Sequence, residues 1–150
     1  MTQPHRIGQK LMSSIRSYKD SDYEAVKVLY RHSEWFGGQF DEARDSRAKL
    51  SKIISNDPEA IFVSEEDNQL NGTISLIEDG RVAWLFRFAV KNNDPAISRQ
   101  LYEKAVKVFK SRGHSQIIVY SPIRQEDFDK RYIGLGMTKG NDFTAYWAEI

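Results

Sequence analysis

The sequence predicts an α/β domain in which a mixed, mostly antiparallel sheet of about seven strands is flanked by about four helices. Three observations carry this. Residues 59–91 hold three consecutive β-rich runs, "EAIFVSEE", "LNGTISLIED" and "RVAWLFRFAVK", parted by the turn-forming "DNQ" and "DGR". Helical periodicity precedes these runs twice and follows them at once, in "DPAISRQLYEKAVKVFKSRG". Strand-like runs return after that helix, so helices and strands are interleaved along the chain.

In order, "SSIRSYKDSD" reads as a short strand leading to a cap. "SDYEAVKVLYRHSEW" then sets Tyr23, Val26, Leu29 and Tyr30 on one helical face. Gly37-Gly38 breaks the chain after Trp35-Phe36, and a second helix is expected in "DEARDSRAKLSKIISND", with Ala43, Leu50, Ile53 and Ile54 inward and Pro58 at or just past its end. The third β-run is apolar on both faces, Val82, Trp84, Phe86, Phe88 and Val90 against Ala83, Leu85 and Ala89, as a covered central strand would be. The next helix, about Pro95 to Lys110, aligns Ile97, Leu101, Ala105 and Val108, with Gly113 supplying a left-handed C-terminal cap. "SQIIVYSP" follows as a strand, "RQEDFDKRYIGLG" as a helix, and "MTKG-ND-FTAYWAEI" as a closing hairpin. Residues 1–12 are expected to be a flexible extension and 13–150 one domain.

Composition excludes several function classes. Lysine and arginine number 22 against 21 aspartates and glutamates, a balance that disfavours a nucleic-acid binder. The chain has no cysteine, hence no disulfide, no thiolate nucleophile and no cysteine-held metal. His5, His32 and His114 lack metal-ligand spacing, so no metal is expected. There is no apolar run suited to a signal peptide or a membrane span, and a cytoplasmic location is the expectation. G-x-S-x-G and Walker-type loops are absent from the sequence.

The order of elements, at this length, resembles the GNAT superfamily of acyl-CoA-dependent N-acetyltransferases. "IFVSEEDNQLNGTISL" is similar to the family's second and third strands, with Gly72 at their glycine. "AWLFRFAV" resembles the fourth strand, and "DKRYIGLGMTKG" sets Tyr132, Gly136 and Met137 on the family's "lYeklGF". The resemblance implies acetyl-CoA as acyl donor and, as acceptor, a primary amine of a small molecule or peptide, attacking directly in a ternary complex. It also implies backbone donors for the thioester oxygen near Phe88, Ala89 and Val90, where the family carries a bulge and the residues alone fit an ordinary ladder equally, and Tyr132 as the acid protonating the leaving thiolate. The pyrophosphate would lie on a loop of the pattern Arg/Gln-x-x-Gly-x-Gly/Ala at a helix N-terminus. Here that stretch is Asn93-Asp94-Pro95-Ala96-Ile97-Ser98, followed by Arg99; Ala96 and Ser98 replace the small residues.

This is a departure from the family pattern. Asp94 before Pro95 is a ready-made N-cap, whose carboxylate would compete with a phosphate for the same helix end. Lys91, Arg99 and Lys104 could offset part of that repulsion. Where relatives carry an acid on the fourth strand this chain has Arg87, which cannot act as a base and could instead pair with an acidic acceptor or with the chain's own carboxylates. Glu34, Glu42, Glu78 and Asp79 are replacement bases, each reading more readily as a solvated charge. "EWFGGQF" puts Trp35 and Phe36 where the family's acceptor site lies. The alternative class is a GNAT-like binding or regulatory module without catalysis, with "FTAYWAEI" as the edge on which a homodimer could be built.

Overall fold

A computed structural model describes residues 13–32, 40–122 and 124–150. They fall in two compact units, one ending at Ile118 and the other beginning at Val119. The expected extension at 1–12, and the Glu34, Trp35 and Phe36 stretch, lie outside the described residues.

In the first unit, strands β1 (Ser14–Ser17), β2 (Ile61–Glu66), β3 (Gln69–Glu78) and β4 (Ala83–Val90) form one sheet in that order, every neighbouring pair antiparallel. Helices α1 (Tyr23–His32) and α2 (Arg47–Asn56) lie between β1 and β2, and α3 (Pro95–Ser111) follows β4. The second unit carries α4 (Glu126–Gly134). This is an α/β fold with an antiparallel sheet and four helices, but with four strands among the described residues where about seven were expected.

The expected strand "SQIIVYSP" contributes one parallel bridge, Ile118 to Trp84, with hydrogen bonds Leu85 N–H to Ile118 O (3.0 Å) and Ile118 N–H to Ala83 O (2.9 Å). The expected closing hairpin at 137–150 forms no strand. Its aromatics Phe143, Tyr146 and Trp147 stand exposed.

Period-2 alternation separates two cores. Phe62, Ile74, Leu76 and Leu85 pack with Ile97, Leu101, Ala105, Val108 and Phe109 of α3, all buried. On the opposite face Ile61, Val63 and Ala89 join Tyr18, Tyr23, Val26, Leu29, Tyr30 and Leu50 of the α1–α2 side. The inward face expected of α1 is thus observed. That of α2 is narrower: Leu50 is buried, Ile54 partly so, while Ile53 and Ala43 are exposed. The helix begins late because residues 41–45 make a turn. Asp41 Oδ1 accepts the amides of Ala43 and Arg44, and Ser46 then caps Lys49 N–H.

The first half of β4 is covered on one face only, which corrects the two-sided reading there; past the bulge Ala89 and Val90 are both buried. Trp84 and Phe86 pair with Ile77 and Ser75 on the face opposite α3, and Trp84, Phe86 and Ile77 are each more than a third exposed.

Gly72 sets the spacing of α3 from the sheet. A Cβ there would lie 2.9 Å from Leu101 Cδ1 and 3.0 Å from Ile97 Cγ2. Gly72→Val should therefore cost about 1–3 kcal/mol by overpacking, lowering Tm by roughly 2–4 °C per kcal/mol. An unchanged melting curve would mean that α3 does not rest on β3 at this point.

At the far end of α3, Gly113 (φ +86°) donates its N–H to Lys110 O and His114 N–H reaches Phe109 O, the cap expected from sequence. Arg112 there meets Asp57 (2.8 Å), Glu78 (2.9 Å) and Glu59 (3.3 Å), and the Arg112 guanidinium holds the Asp57 carboxyl below its ordinary range. α4 ends in the same way. Gly136 (φ +90°) donates to Ile133 O and Met137 N–H to Tyr132 O, so the "YIGLGM" signature is at root a helix-termination motif. No helix among the described residues is long and apolar enough to cross a membrane.

Candidate functional site

The site suggested by sequence is the junction of β4 and α3. Four of its residues lie on β4, and β4 is irregular where it matters. Thr73 pairs with Ala89 and Ser75 with Phe86, so Arg87 and Phe88 together face the single residue Ile74. This is a β-bulge, and Arg87 adopts φ +45° within it. An ordinary ladder was the other possibility for this stretch, and the structure has the bulge.

The bulge changes which way Arg87 points. Strict alternation after Phe86 would send it to the α3 face. Instead its guanidinium reaches the α1 face, over the rings of Phe86 (4.6 Å) and Tyr30 (5.9 Å). There Nε and Nη2 donate to Asp45 Oδ1 (3.1 Å) and Oδ2 (2.9 Å), a two-pronged pair with side chains only 8% and 3% exposed. Asp45 Oδ2 also accepts the Asp41 amide, and Tyr23 Oη donates to the Asp45 carbonyl. Beside them Tyr30 is buried to 1%, near Ser75, and burial pushes its phenol up to about 12. Asp45 and Ser75 were not singled out from sequence, and Tyr30 was read only as part of the inward face of α1. Asp45, one of three acids in "DEARDS", reads as surface charge, and nothing local marks it as the partner of an arginine 42 residues on.

The loop after β4 explains its lack of glycine. Lys91–Asn93 make a 3₁₀ turn in which Asn92 (φ +56°) and Asn93 (φ +49°) are both left-handed, a conformation asparagine tolerates better than most residues. Asp94 then caps α3: its Oδ1 accepts from Ala96 N–H (2.9 Å) and Ile97 N–H (3.2 Å). Pro95 has no N–H, and Ser98 N–H bonds the Asp94 carbonyl. Every amide of the first turn is thereby engaged by Asp94 or missing. Ser98 is 2% exposed and its hydroxyl has no hydrogen-bond partner among the described residues; Ile97 is buried, Ala96 exposed, and Arg99 stands 3.9 Å from Glu103.

The remaining candidates are spread out. Glu78 lies at the other end of β3, paired with Ala83 rather than with the bulge, and its carboxylate meets Arg112 and His114 (2.7 Å). Asp79 is held by Arg81, which lowers its pKa together with the Arg81 and Val82 amides, and Glu42 is exposed. Tyr132 belongs to the second unit. It stacks on Phe128 (6.2 Å between centroids, 12° between planes) with the Arg131 guanidinium 5.7 Å from its ring. Burial raises the Tyr132 phenol above its ordinary value, with Arg131 pulling the other way.

No protein-family model matches the sequence, and no curated protein matches it. Solved structures do match. A transcriptional regulator from Bacillus halodurans superposes with TM-score 0.73 at 16% identity, over 91% of this chain and 99% of that one. An acetyltransferase from Streptococcus agalactiae gives TM-score 0.69 at 15% identity, over 93% of each. The PaiA N-acetyltransferase from Thermoplasma acidophilum, in complex with coenzyme A, gives 0.67 at 22%, over 81% and 87%. At such identities the likeness is one of fold. The fold is the one these acetyltransferase structures share, in line with the fold that the sequence resemblance implied.

Proposed function

We propose that this protein transfers an acetyl group from acetyl-CoA to a primary amine of a small molecule or peptide, by direct attack within a ternary complex. The observation that carries the reading is β4. It is the last strand of the four-stranded sheet, bulged at Arg87–Phe88 and bridged to Ile118 at Trp84. An edge of this kind accepts an extended, amide-bearing arm as an added strand, which is what an acyl-CoA brings. The amine attacks the thioester carbonyl, backbone N–H groups of Phe88–Val90 stabilise the oxyanion, and the thiolate leaves with a proton from Tyr132. Asp45, the carboxylate that does reach the bulge, is bound to Arg87. The acceptor's proton is therefore assigned to water.

A second reading, a non-catalytic binding module, is favoured by one observation: the Asp94 cap closes the helix end to a phosphate. Neighbours of one fold need not share an activity. The deciding experiment is thermal unfolding with and without millimolar acetyl-CoA, followed by release of free CoA with a panel of amines. Ligand at about 100 times its Kd stabilises by roughly 2.7 kcal/mol, a shift of several degrees. A shift with turnover supports the transferase; binding without turnover supports the module; no binding by calorimetry removes acetyl-CoA from both.

Asp94 gives a sharper prediction. Glycine is nearly as good an N-cap, so Asp94→Gly should cost only a few tenths of a kcal/mol in stability. Removing a carboxylate from beside the pyrophosphate should tighten CoA binding about tenfold, as titration calorimetry would read. Weaker binding in a folded variant would place the pyrophosphate elsewhere.

A further inference from the structure

We propose that the Asp45–Arg87 pair is a positioning device for acyl transfer, holding the β4 bulge in the shape that presents the amides of Phe88–Val90 and fastening that bulge to the connection between α1 and α2. The proposal rests on the transferase reading above. Arg87 is neither glycine nor asparagine, yet it sits at φ +45°, where a side-chain-bearing residue stays only if its surroundings hold it. Among the described residues, Asp67, Asn68, Asn92, Asn93 and Arg124 are the other non-glycine residues with positive φ. Of all these, Arg87 is the one inside a strand that is paired on both sides of it.

What holds it is visible. The guanidinium is fixed at two points by Asp45 and lies over Phe86 and Tyr30. Asp45 is fixed in turn by the Asp41 amide and, through its carbonyl, by Tyr23 of α1. If the pair were lost, alternation would draw Arg87 toward the α3 face, and the extra residue that sets the register of Phe88, Ala89 and Val90 would have no anchor. The pair thus couples the turn at 41–45, which leads out of the α1–α2 connection, to the strand assigned to the thioester. Neither side chain touches the reacting atoms in this scheme. Each acts through the backbone of β4.

Glycine separates positioning from mere stability, because it adopts φ +45° without support. The experiment compares kcat and the KM for acetyl-CoA in the wild type, Asp45→Asn, and Asp45→Asn with Arg87→Gly, each well below its melting temperature. Asp45→Asn should lower kcat about 10²-fold with a much smaller change in KM. The double variant, although no more stable, should recover at least about tenfold of that loss. Wild-type kcat in Asp45→Asn, or a double variant as slow as Asp45→Asn, would overturn the proposal.

A wild type that turns over no amine would overturn the transferase reading instead. The bulge is then read directly, by amide hydrogen exchange at Phe88, Ala89 and Val90. Exchange about tenfold faster in Asp45→Asn, and restored in the double variant, is the result expected of a held bulge. Equal exchange in all three proteins would mean that the pair holds nothing.

Discussion

Arg87→Ala should lower the stability of the fold by about 3–5 kcal/mol, the largest loss expected from any single change at the site. The reason is what remains rather than what is removed. Asp45 keeps a side chain only 3% exposed, and without the guanidinium its charge has the Asp41 amide as its remaining side-chain hydrogen-bond partner among the described residues. Alanine brings no relief of its own, since it too is strained at a left-handed position. At this chain length the loss corresponds to a fall in Tm of roughly 6–20 °C. Urea unfolding would show a lower midpoint with an unchanged slope. Replacing both partners with apolar residues, Arg87→Met with Asp45→Leu, should recover most of the loss, because no buried charge is then left alone. A cost below about 1 kcal/mol for Arg87→Ala would mean that the pair behaves as a solvated one.

Tyr132→Phe is expected to have the largest effect on turnover, a fall of about 10²–10⁴-fold if Tyr132 supplies the leaving thiolate's proton. Phenylalanine keeps the ring that stacks on Phe128, so the melting curve should hardly move. The raised pKa fixes the sign of the pH dependence. Burial keeps the phenol protonated through the neutral range, so any alkaline limb set by Tyr132 should lie above the ordinary tyrosine value of about 10. Unchanged turnover in Tyr132→Phe would remove it from the mechanism. An alkaline limb below that value, persisting in the variant, would belong to another group.

What the sequence made legible was local. The α3 stripe, its cap at Gly113 and the Asp94-Pro95 start are each decided within a few residues, by periodicity, a left-handed glycine and a side chain bonding its own helix. Gly72 was legible as a family position, though its reason, the approach of Leu101 and Ile97, needed the tertiary structure. The bulge was legible only through the family resemblance, not from the residues themselves. A positive φ at an arginine has no composition signal, and it reverses the face on which every alternation rule would place that side chain. Asp45 was missed for the related reason that its partner lies 42 residues away. The later strands were over-read because a β-run is completed by a neighbour, and residues 116–121 meet β4 at one bridge.

The ion cluster at Arg112 makes the two ends of α3 unlike. Over its 17 residues the helix is about 25 Å long. One end is bolted by a guanidinium to three carboxylates on the Asp57 turn and β3, while the other rests on a bare glycine and a self-made cap. The two ends are therefore pinned by different means: undoing the Arg112 end breaks ion pairs to two separate elements, whereas undoing the Asp94 end breaks the bonds of a single residue.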